Sequence, residues 1–481
     1  YLQEKVNFIC NPKTDIKMFW KEIKKNCNDR RRGISENISN VQWFNHFKTL
    51  FALDQQFHTN PDIEDEMQAT LHVEALDRTI TINEVKEALH GLKNGKSAGL
   101  DGIRPEMLKT LNETAVVFLT EFFNYIFSHS VYPEDWAKAI IVPIFKKGDF
   151  DYVDNYRGVS LLSVVSKCYT AILNKRLYTW LETNGKISET QAGFRKAHST
   201  VDHIFTLNAV VQKCLSKNGG KCYVAFVDFK KAFDSVQHEK MIEALHTARV
   251  SSKFIGALKA MYSSMFSCVR NNSELTNFFG CPVGVRQGCV LSPTLFSVFI
   301  NEIAVCMETT GKHGIQLLPG LIELYILLFA DDLALLSFSP AGLRHQLKCL
   351  EICCNKMHLI VNIDKTKVMV FRRGGFLGAN EFWTFKGEAL EVVNSYRYLG
   401  YTFTTMLSVN IGTRSFALKG REAAYSVLRM LRTFRDINRK IFFKIFDSKI
   451  SSILLYASEL WGTSQIEDIE RVHLVACKRF L

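Results

Sequence analysis

The sequence predicts an α+β fold in which strands and helices alternate in the centre of the chain and helices dominate both ends. Residues 222–229 form an apolar run of strand length, and residues 325–338 indicate a strand, a turn and a second strand. Between these runs, apolar positions at helical spacing predict helices near residues 238–249 and 253–265. From about residue 414 onward the pattern is helical and rich in Lys and Arg.

The elements before the central part can be placed one by one. Residues 1–78 are predicted to be a polar, helical extension. Thr81 and Glu84 have the spacing of a capping box, in which each side chain bonds the other residue's backbone N–H, so a helix is predicted to begin there. A loop with three glycines follows at residues 93–102, and Pro105 lies early in the next helix, where no N–H is needed.

Two strand-like segments joined by a turn are predicted before the apolar run at residues 222–229, and a further helix is predicted after it. Residues 139–145 are short and apolar, residues 146–149 indicate a polar turn, and residues 155–161 lead back toward a long helix. Another helix is predicted to open with Ser292 as its N-cap and Pro293 as its first residue.

The composition is that of an ordinary globular protein with a basic surplus. The 481 residues are 47% hydrophobic and 22% charged, with a formal net charge of +12 that favours a polyanionic partner. Residues 411–481 hold 13 Lys and Arg against 7 Asp and Glu. No apolar run is long enough to span a bilayer, and no signal peptide is visible. The 13 cysteines include no Cys-x-x-Cys pair, so they are predicted to be reduced core residues of an intracellular protein.

Asp331 and Asp332 lie side by side in an apolar run, which is hard to explain by packing. An unpaired carboxylate is costly to bury, and neighbouring strand residues face opposite ways. A tight hairpin would place both at the edge of a buried sheet, whereas a surface turn with apolar flanks explains these residues equally well. Asp228, which also ends an apolar strand, favours the hairpin. Three carboxylates at strand ends can hold two hard cations, which is the chemistry of nucleotidyl transfer.

The residues around these carboxylates carry a family resemblance. Residues 329–332 and 227–234 closely resemble the paired palm motifs of the reverse transcriptases of non-LTR retrotransposons (LINEs). Other blocks of that family follow in the expected order over roughly residues 80–481. They are a finger extension at 93–103, a fingertip hairpin at 142–149 and 155–161, a finger block at 191–195, a template and nucleotide loop at 284–293, a lysine-bearing palm motif at 362–366, a primer grip at 396–400 and a thumb signature at 456–462.

The resemblance implies a right-hand polymerase with fingers, palm and thumb, built on an antiparallel palm sheet with a helical thumb. It implies that residues 1–78 are a linker, 79–221 the fingers with their N-terminal extension, 222–405 the palm with finger insert elements, and 406–481 a basic thumb truncated at its C-terminal end. The implied activity is RNA-directed DNA polymerisation in target-primed reverse transcription. The implied cofactors are two Mg²⁺ ions, with Mn²⁺ as a substitute. The implied partners are an RNA template, a DNA primer and deoxynucleoside triphosphates, with no membrane.

The resemblance also assigns the chemistry to individual residues. Asp228, Asp331 and Asp332 are the expected catalytic residues, and Phe229 joins them at the metals. Phe233 is expected to be a steric gate against a 2′-hydroxyl, with a core aromatic as the alternative.

Three further groups are expected to contact the substrates. The nucleotide is expected to contact basic and loop residues, namely Lys146, Lys147, Arg157, Gln287, Gly288 and Lys365, although a solvated turn lysine or surface lysine remains an open interpretation of one fingertip lysine and of Lys365. The primer is expected to be gripped by Tyr398, Leu399 and Gly400. The template–primer duplex is expected to meet basic residues of the thumb, namely Arg414, Arg421, Arg429, Arg432, Arg435, Arg439 and Lys440.

Two other functions share these motifs. A catalytically inactive, domesticated relative would act as an RNA- and DNA-binding scaffold, which the intact aspartates disfavour. An RNA-dependent RNA polymerase would share the palm, which Phe233 disfavours. LINE proteins usually join this domain to an endonuclease, and none is found in this sequence, which opens with Tyr1 and is expected to be a piece of a longer protein. Its point of action is expected to be the nucleus.

Overall fold

The computed structural model describes residues 34–52, 71–310, 313–318, 322–431, 439–464 and 466–480. Most of the predicted N-terminal helical extension lies outside these ranges. The described helices, in chain order, are α1 (Asn40–Leu50), α2 (Glu74–Asp77), α3 (Ile82–Gly91), α4 (Pro105–Lys109), α5 (Glu113–His129), α6 (Glu134–Ala137), α7 (Val164–Thr183), α8 (Thr200–Leu215), α9 (His238–Thr247), α10 (Ser252–Tyr262), α11 (Ser292–Thr309), α12 (Pro340–Met357), α13 (Val409–Leu431), α14 (Arg439–Phe446), α15 (Ser452–Leu454), α16 (Ser458–Trp461) and α17 (Glu467–Phe480).

The described strands form two larger sheets and three small hairpins. In chain order they are β1 (Lys138–Phe145), β2 (Tyr156–Leu161), β3 (Cys222–Val227), β4 (Phe266–Asn271), β5 (Glu274–Leu275), β6 (Phe279–Gly280), β7 (Ile315–Leu318), β8 (Ile322–Leu324), β9 (Ile326–Phe329), β10 (Asp332–Ser337), β11 (Lys367–Phe371), β12 (Thr384–Phe385), β13 (Glu388–Ala389), β14 (Glu391–Val392), β15 (Ser395–Tyr398) and β16 (Tyr401–Thr404). This mixture confirms the α+β class.

The central sheet has the strand order β14–β11–β3–β10–β9. Its pairs β11–β3, β3–β10 and β10–β9 are antiparallel, and only the short β14 joins in parallel. The antiparallel sheet predicted around the two apolar runs is therefore confirmed. Strand β3 ends at Val227, two residues earlier than predicted, so Asp228 follows directly after its last residue.

The central sheet is buried on both faces, which explains why its strands are almost uninterrupted apolar runs. Tyr223, Ala225 and Val227 belong to a core shared with α7, α11 and α12. The alternate residues Val224 and Phe226 belong to a second core, which includes β15, β16 and the C-terminal helices. Strand alternation therefore fixes which side each residue beyond the end of β3 faces.

The second sheet contains the predicted hairpin of β1 and β2. These strands pair antiparallel from Ile140 with Leu161 to Phe145 with Tyr156, and β1 pairs in parallel with β4. Gln287, in the loop before α11, accepts a hydrogen bond from the backbone N–H of Ser160 at 2.8 Å, so this loop is held against β2.

The helix starts agree with the sequence in one case and differ in another. At α3, the Thr81 side chain accepts from Glu84 N and the Glu84 side chain accepts from Thr81 N, as the capping box predicted. The prediction for α11 is wrong by one residue, because Leu291 is the N-cap and Ser292 is already helical. Leu291 is fully buried there, so packing overrides the capping preference of serine.

One pair of cysteines differs from the sequence-based expectation. Cys306 of α11 and Cys353 of α12 form a disulfide with their Cα atoms 6.4 Å apart, so the expectation that all cysteines are reduced is wrong for this pair. The other described cysteines are free, and all except Cys477 are buried.

Among the described residues, none of the helices combines the length and apolar character that a membrane crossing would need.

Candidate active site

Asp228 and Asp332 lie opposite each other at one end of the central sheet. Leu333 pairs with Val227 and Ala334 with Phe226, so the same antiparallel register places Asp332 across from Asp228. Asp228 is two residues after Phe226, and Asp332 is two residues before Ala334. Because Phe226 and Ala334 both face the second core, the two carboxylates project from that same face of the sheet. Two carboxylates 104 positions apart in the sequence are thus neighbours in the fold.

Asp331 lies in the turn that joins β9 to β10. Phe329 pairs with Asp332, which leaves Ala330 and Asp331 as a two-residue hairpin loop. Ala330 has φ of 57°, in the left-handed region that residues with a Cβ rarely adopt. A positive φ at the first loop residue alone matches a type II′ turn, which normally has glycine there. The turn therefore needs support from its surroundings.

The negative charges of the three aspartates at this end of the sheet repel one another. The pKa of Asp332 is raised to about 6, first by burial against the surrounding protein and then by the negative charges of Asp331 and Asp228. The side chain is nevertheless open to solvent on one side, so a cation can reach it. Asp228 Oδ2 is buried and accepts no hydrogen bond from any residue that the structure describes, and Lys365 Nζ lies 3.3 Å away as an ion-pair partner.

The donor set fits hard divalent cations. Within the described ranges, no three His, Cys, Asp or Glu side chains are close enough to form a complete metal cage as they stand. The site nevertheless offers oxygen donors only, one of them a buried oxygen without a hydrogen-bond donor, and its mutual repulsion is relieved by positive charge. Phe229 is buried and could contribute only its backbone carbonyl.

Asp228 is held by the loop that carries Lys365. The carbonyl of Asp228 accepts from Asn362 N at 2.7 Å, and Asp228 N donates to Thr366 Oγ1 at 3.2 Å. Because the loop is tied to the main chain on both sides of Asp228, Lys365 is brought to the carboxylate, although its side chain is 63% exposed. The structure thus places Lys365 at the carboxylate cluster.

The turn between β9 and β10 is supported by a segment whose role the sequence did not reveal. Leu328 N donates to Thr190 O at 2.8 Å and Ala192 N donates to Leu328 O at 2.9 Å, so this segment covers the edge of β9. Gln191 is fully buried, and its Oε1 accepts from Gly193 N at 2.8 Å and from Ala330 N at 3.2 Å.

Gly193 completes this support by its lack of a side chain. A Cβ at position 193 would lie 2.2 Å from Ala330 N and 2.9 Å from Ala330 Cα. Arg195 holds the segment from behind through the carbonyls of Ser188 and Gln191 and a paired contact with Glu182. The block at residues 191–195 is therefore a support for the carboxylate turn. Its glycine beside a buried glutamine is the signal that could have indicated this.

Phe233 is stacked on Phe296 of α11, with ring centroids 4.0 Å apart and planes 19° apart. Phe194 meets it edge-on at 6.0 Å and is itself 48% exposed. The backbone carbonyl of Phe233 accepts a hydrogen bond from Val285 N at 2.9 Å, which fixes the backbone of Phe233. Phe233 is partly buried, so the ring is rigidly held and one part of it remains accessible.

Of the predicted nucleotide contacts, the structure brings Arg157 and Gln287 together and places Gly288 against β2. Arg157 of β2 is exposed, and its Nε donates to Gln287 Oε1 at 2.9 Å. Lys146 and Lys147 are exposed in the turn after β1. Gly288 has φ of 126°, and a Cβ there would lie 2.6 Å from Ser160 O, so close contact with β2 already requires glycine.

The predicted primer grip is a hairpin turn beside the carboxylates. Tyr398 pairs with Tyr401, and Leu399 and Gly400 both have positive φ, which is the pattern of a type I′ turn. Tyr456 Oη donates to Leu399 O at 2.6 Å and also bonds Thr200 Oγ1 at 2.8 Å. Tyr456 was predicted only as part of a thumb signature, and the structure shows that it anchors this turn.

Tyr398 and Tyr396 connect the hairpin to the carboxylates. The Tyr396 ring stacks on Phe226 at 4.3 Å, two residues before Asp228. Burial raises the pKa of Tyr396 to about 12, and the charges of Asp332 and Asp228 act in the same direction. The side chain of Tyr398 is buried, so only the backbone of this residue can contact a substrate directly.

The basic residues of the C-terminal helices are exposed where they are described. Arg414, Arg421 and Arg429 lie within one face of α13, because their spacings of seven and eight residues are close to whole turns. Arg414 also pairs with Asp468 of α17 at 3.3 Å. Arg439 is exposed at the start of α14. Arg432, Arg435 and the side chain of Lys440 lie outside the described residues.

Comparison with known proteins identifies the family. The model of the family described as reverse transcriptase (RNA-dependent DNA polymerase) matches residues 144–403, which is more than half of the chain. A probable RNA-directed DNA polymerase from transposon BS of Drosophila melanogaster is 26% identical, over 90% of this chain and 47% of that protein. The RNA-directed DNA polymerase from mobile element jockey of the same species is 25% identical, over 86% of this chain and 45% of that protein.

The chain spans about half the length of these curated relatives. A structure of apo telomerase from Candida tropicalis aligns with a TM-score of 0.41 at 11% identity, over 76% of this chain and 63% of that one. The match of the family model to residues 144–403 shows that the chain belongs to the reverse transcriptase (RNA-dependent DNA polymerase) family, and the relatives from transposon BS and mobile element jockey confirm the resemblance to the non-LTR retrotransposon type.

Proposed function

We propose that the chain copies RNA into DNA by two-metal nucleotidyl transfer, with Asp228, Asp331 and Asp332 as the metal-binding residues. The observation that carries this proposal is the register that sets Asp332 opposite Asp228, directly beside the turn that carries Asp331. Bound divalent cations would activate the primer 3′-hydroxyl and neutralise the charge of the leaving pyrophosphate. In this arrangement the ammonium group of Lys365 would balance the negative charge of Asp228, alone or together with a bound cation. It would also approach the pyrophosphate.

The surrounding residues are proposed to position the substrates. Arg157, Lys146 and Lys147 would bind the triphosphate, because a guanidinium and ammonium groups match phosphate oxygens. Gln287 and Gly288 would line the nucleotide, Phe233 would stack under its sugar, and the turn at Leu399 and Gly400 would hold the primer end. These roles assign residues 79–221 to the fingers, 222–405 to the palm and 406–481 to the thumb.

In the cell, the activity is proposed to serve target-primed reverse transcription. An endonuclease elsewhere in a longer protein would nick the target, and the exposed 3′ end would prime synthesis on the element's RNA. Because genomic DNA is the target, the reaction would take place in the nucleus.

The test is extension of a labelled DNA primer annealed to an RNA template by the purified chain. Incorporation of deoxynucleotides that depends on Mg²⁺ or Mn²⁺ and stops with a chelator would support the proposal. The catalytically inactive scaffold would instead bind the duplex without extending it, and an RNA polymerase would prefer ribonucleotides.

Replacing Phe233 with valine is expected to relax sugar discrimination. The smaller side chain removes the ring that is held by Phe296, so a 2′-hydroxyl finds space beside the sugar. The ratio of ribonucleotide to deoxynucleotide kcat/KM should rise by roughly tenfold to a hundredfold, since steric rejection of one small group is worth about 1–3 kcal/mol. Phe118→Val, at a 71% exposed phenylalanine of α5, is the matched control. An unchanged ratio in Phe233→Val would show that Phe233 is not a steric gate.

Binding of the template–primer duplex is expected to weaken steeply with salt. Three phosphate contacts from the exposed arginines of α13 predict roughly a 40-fold loss of affinity between 50 and 200 mM salt. Arg421→Gln should reduce the slope of log Kd against log salt by the amount that one phosphate contact contributes. Lys348→Gln, at an exposed lysine of α12, should leave the slope unchanged. A salt-independent Kd for the unmodified chain would contradict the role given to α13.

A further inference from the structure

Three side chains form a continuous hydrogen-bonded connection from the end of the Asp228 motif to the fingertip hairpin. Gln287 Nε2 donates to Asp234 Oδ1 at 2.6 Å, and Arg157 Nε donates to Gln287 Oε1 at 2.9 Å. Asp234 is six residues beyond Asp228 and is not one of the three proposed metal-binding carboxylates. The connection joins a residue of the turn after β3 to one on β2, across the loop that precedes α11.

The chemistry of the two ends permits only one orientation of the middle amide. A guanidinium can only donate hydrogen bonds, and an ionised carboxylate can only accept them. The amide of Gln287 must therefore turn its nitrogen toward Asp234 and its oxygen toward Arg157. Without Asp234, the amide could rotate and present its N–H groups to Arg157, which would leave two donors facing each other.

The backbone around the connection is fixed. The carbonyl of Gln287 accepts from Ser160 N at 2.8 Å, and Gly284 approaches Asp234 so closely that a Cβ would lie 2.8 Å from Asp234 O. Burial raises the pKa of Asp234 to about 6, against the opposing effects of the Gln287 hydrogen bond and of the positive charges of Arg157 and Lys231. At pH 8 the carboxylate is therefore ionised and acts as an acceptor only.

The far end of the connection determines which edge of Arg157 is free. Gln287 occupies Nε, and within the described part of the chain neither Nη atom of Arg157 has a hydrogen-bond or ion-pair partner. Those two groups form the edge of a guanidinium that can bind two oxygens of a phosphate at once.

We propose that Asp234 is a positioning residue for the incoming triphosphate, acting through Gln287 to hold Arg157 by its Nε and leave its Nη edge free for phosphate. The proposal rests on the proposed polymerase function. Asp234 itself touches neither nucleotide nor metal; it determines the orientation of a residue that binds the nucleotide.

The first experiment compares two substitutions of Asp234 in primer extension at pH 8. Asp234→Asn keeps an oxygen that can accept from Gln287, so the KM for the deoxynucleotide should stay within about threefold of the original. Asp234→Leu removes the acceptor, and the KM should rise about tenfold, which is the value of one lost hydrogen bond of about 1.4 kcal/mol. The kcat and the Kd for the template–primer duplex should change by less than about threefold in both variants.

The second experiment reverses the hydrogen-bond pattern. Gln287→Glu alone sets two carboxylates against each other, and it should raise the KM by at least about tenfold and lower the melting temperature. Adding Asp234→Asn supplies an N–H that the new glutamate can accept, while the glutamate still accepts from Arg157. The double variant should therefore recover most of the lost melting temperature and a substantial part of the KM.

The outcomes separate this proposal from the polymerase function. If the unmodified chain extends primers but Asp234→Asn rescues neither the KM nor the melting temperature of Gln287→Glu, the positioning role is overturned and the polymerase function stands. If the unmodified chain does not extend primers, the polymerase function is overturned. The melting temperatures of the single and double variants would still show whether Asp234 and Gln287 are coupled as described. A large fall in kcat with an unchanged KM in Asp234→Leu would also overturn the positioning role.

Discussion

Replacing Asp331 with asparagine is expected to abolish primer extension while leaving the fold and the binding of the template–primer duplex unchanged. Asparagine has nearly the same shape, and Asp331 lies partly exposed in a two-residue turn, so the backbone has no reason to rearrange. The change removes one of the charges that a divalent cation would balance. Metal-assisted charge stabilisation is worth several kcal/mol, which corresponds to a rate loss of roughly a thousandfold or more.

The matched control for this change is Asp135→Asn, at a carboxylate that is 85% exposed on α6 and forms an ion pair with Lys138. That variant should extend primers at the original rate. Duplex binding of both variants is measured by fluorescence anisotropy without divalent metal. Extension by Asp331→Asn within tenfold of the original rate would mean that this carboxylate does not bind a catalytic metal.

Replacing Gly193 with alanine is expected to give the second largest effect, at a residue that touches no substrate. The added methyl group would lie 2.2 Å from Ala330 N, so the turn carrying Asp331 must move. A displacement of about 1 Å at a reacting group can cost on the order of 100-fold in rate, and this is the fall in kcat that we expect. Overpacking costs about 1–3 kcal/mol of stability, which is less than the roughly 5–15 kcal/mol of a typical fold.

Gly280→Ala is the control for Gly193→Ala, because no atom of the described residues lies within 4 Å of a Cβ at position 280. A cooperative melting transition of Gly193→Ala together with unchanged duplex binding would show that the loss is local to the turn. If the kcat of Gly193→Ala equals that of Gly280→Ala, the segment at residues 190–193 does not position Asp331.

The effects of Asp331→Asn and Gly193→Ala depend on different parts of the sequence, and only the role of Asp331 could be predicted from the sequence. Asp228, Asp331 and Asp332 were recognisable because charged residues at the ends of apolar runs have few structural explanations. The register between β3 and β10, which only the structure supplies, sets Asp332 opposite Asp228. The α+β class followed from the same runs, whereas the antiparallel central sheet was implied by the family resemblance.

The support for the turn could not be predicted in this way. Gln191 and Ala330 are 139 positions apart, and a buried glutamine has no periodicity that distinguishes it from a surface one. The link from Asp234 through Gln287 to Arg157 likewise joins three elements distant in sequence. Tyr456 is a similar case, because its contact with Leu399 depends on how the C-terminal helices pack.

The wrong predictions have identifiable causes. Ser292 and Pro293 have the composition of a helix start, but Leu291 is buried and takes the N-cap position, so tertiary packing decides the boundary. The disulfide between Cys306 and Cys353 joins two helices that are separated by β7 to β10, and no sequence spacing could reveal that their faces meet.

The claim on which the rest depends is that the three carboxylates hold the divalent cations together. It is tested most directly by counting bound Mn²⁺ by electron paramagnetic resonance, with template–primer and a non-hydrolysable deoxynucleotide present. Two tightly bound Mn²⁺ ions per chain are expected, and at least one of them should be lost in Asp228→Asn. The same number and affinity of Mn²⁺ ions in both proteins would contradict it.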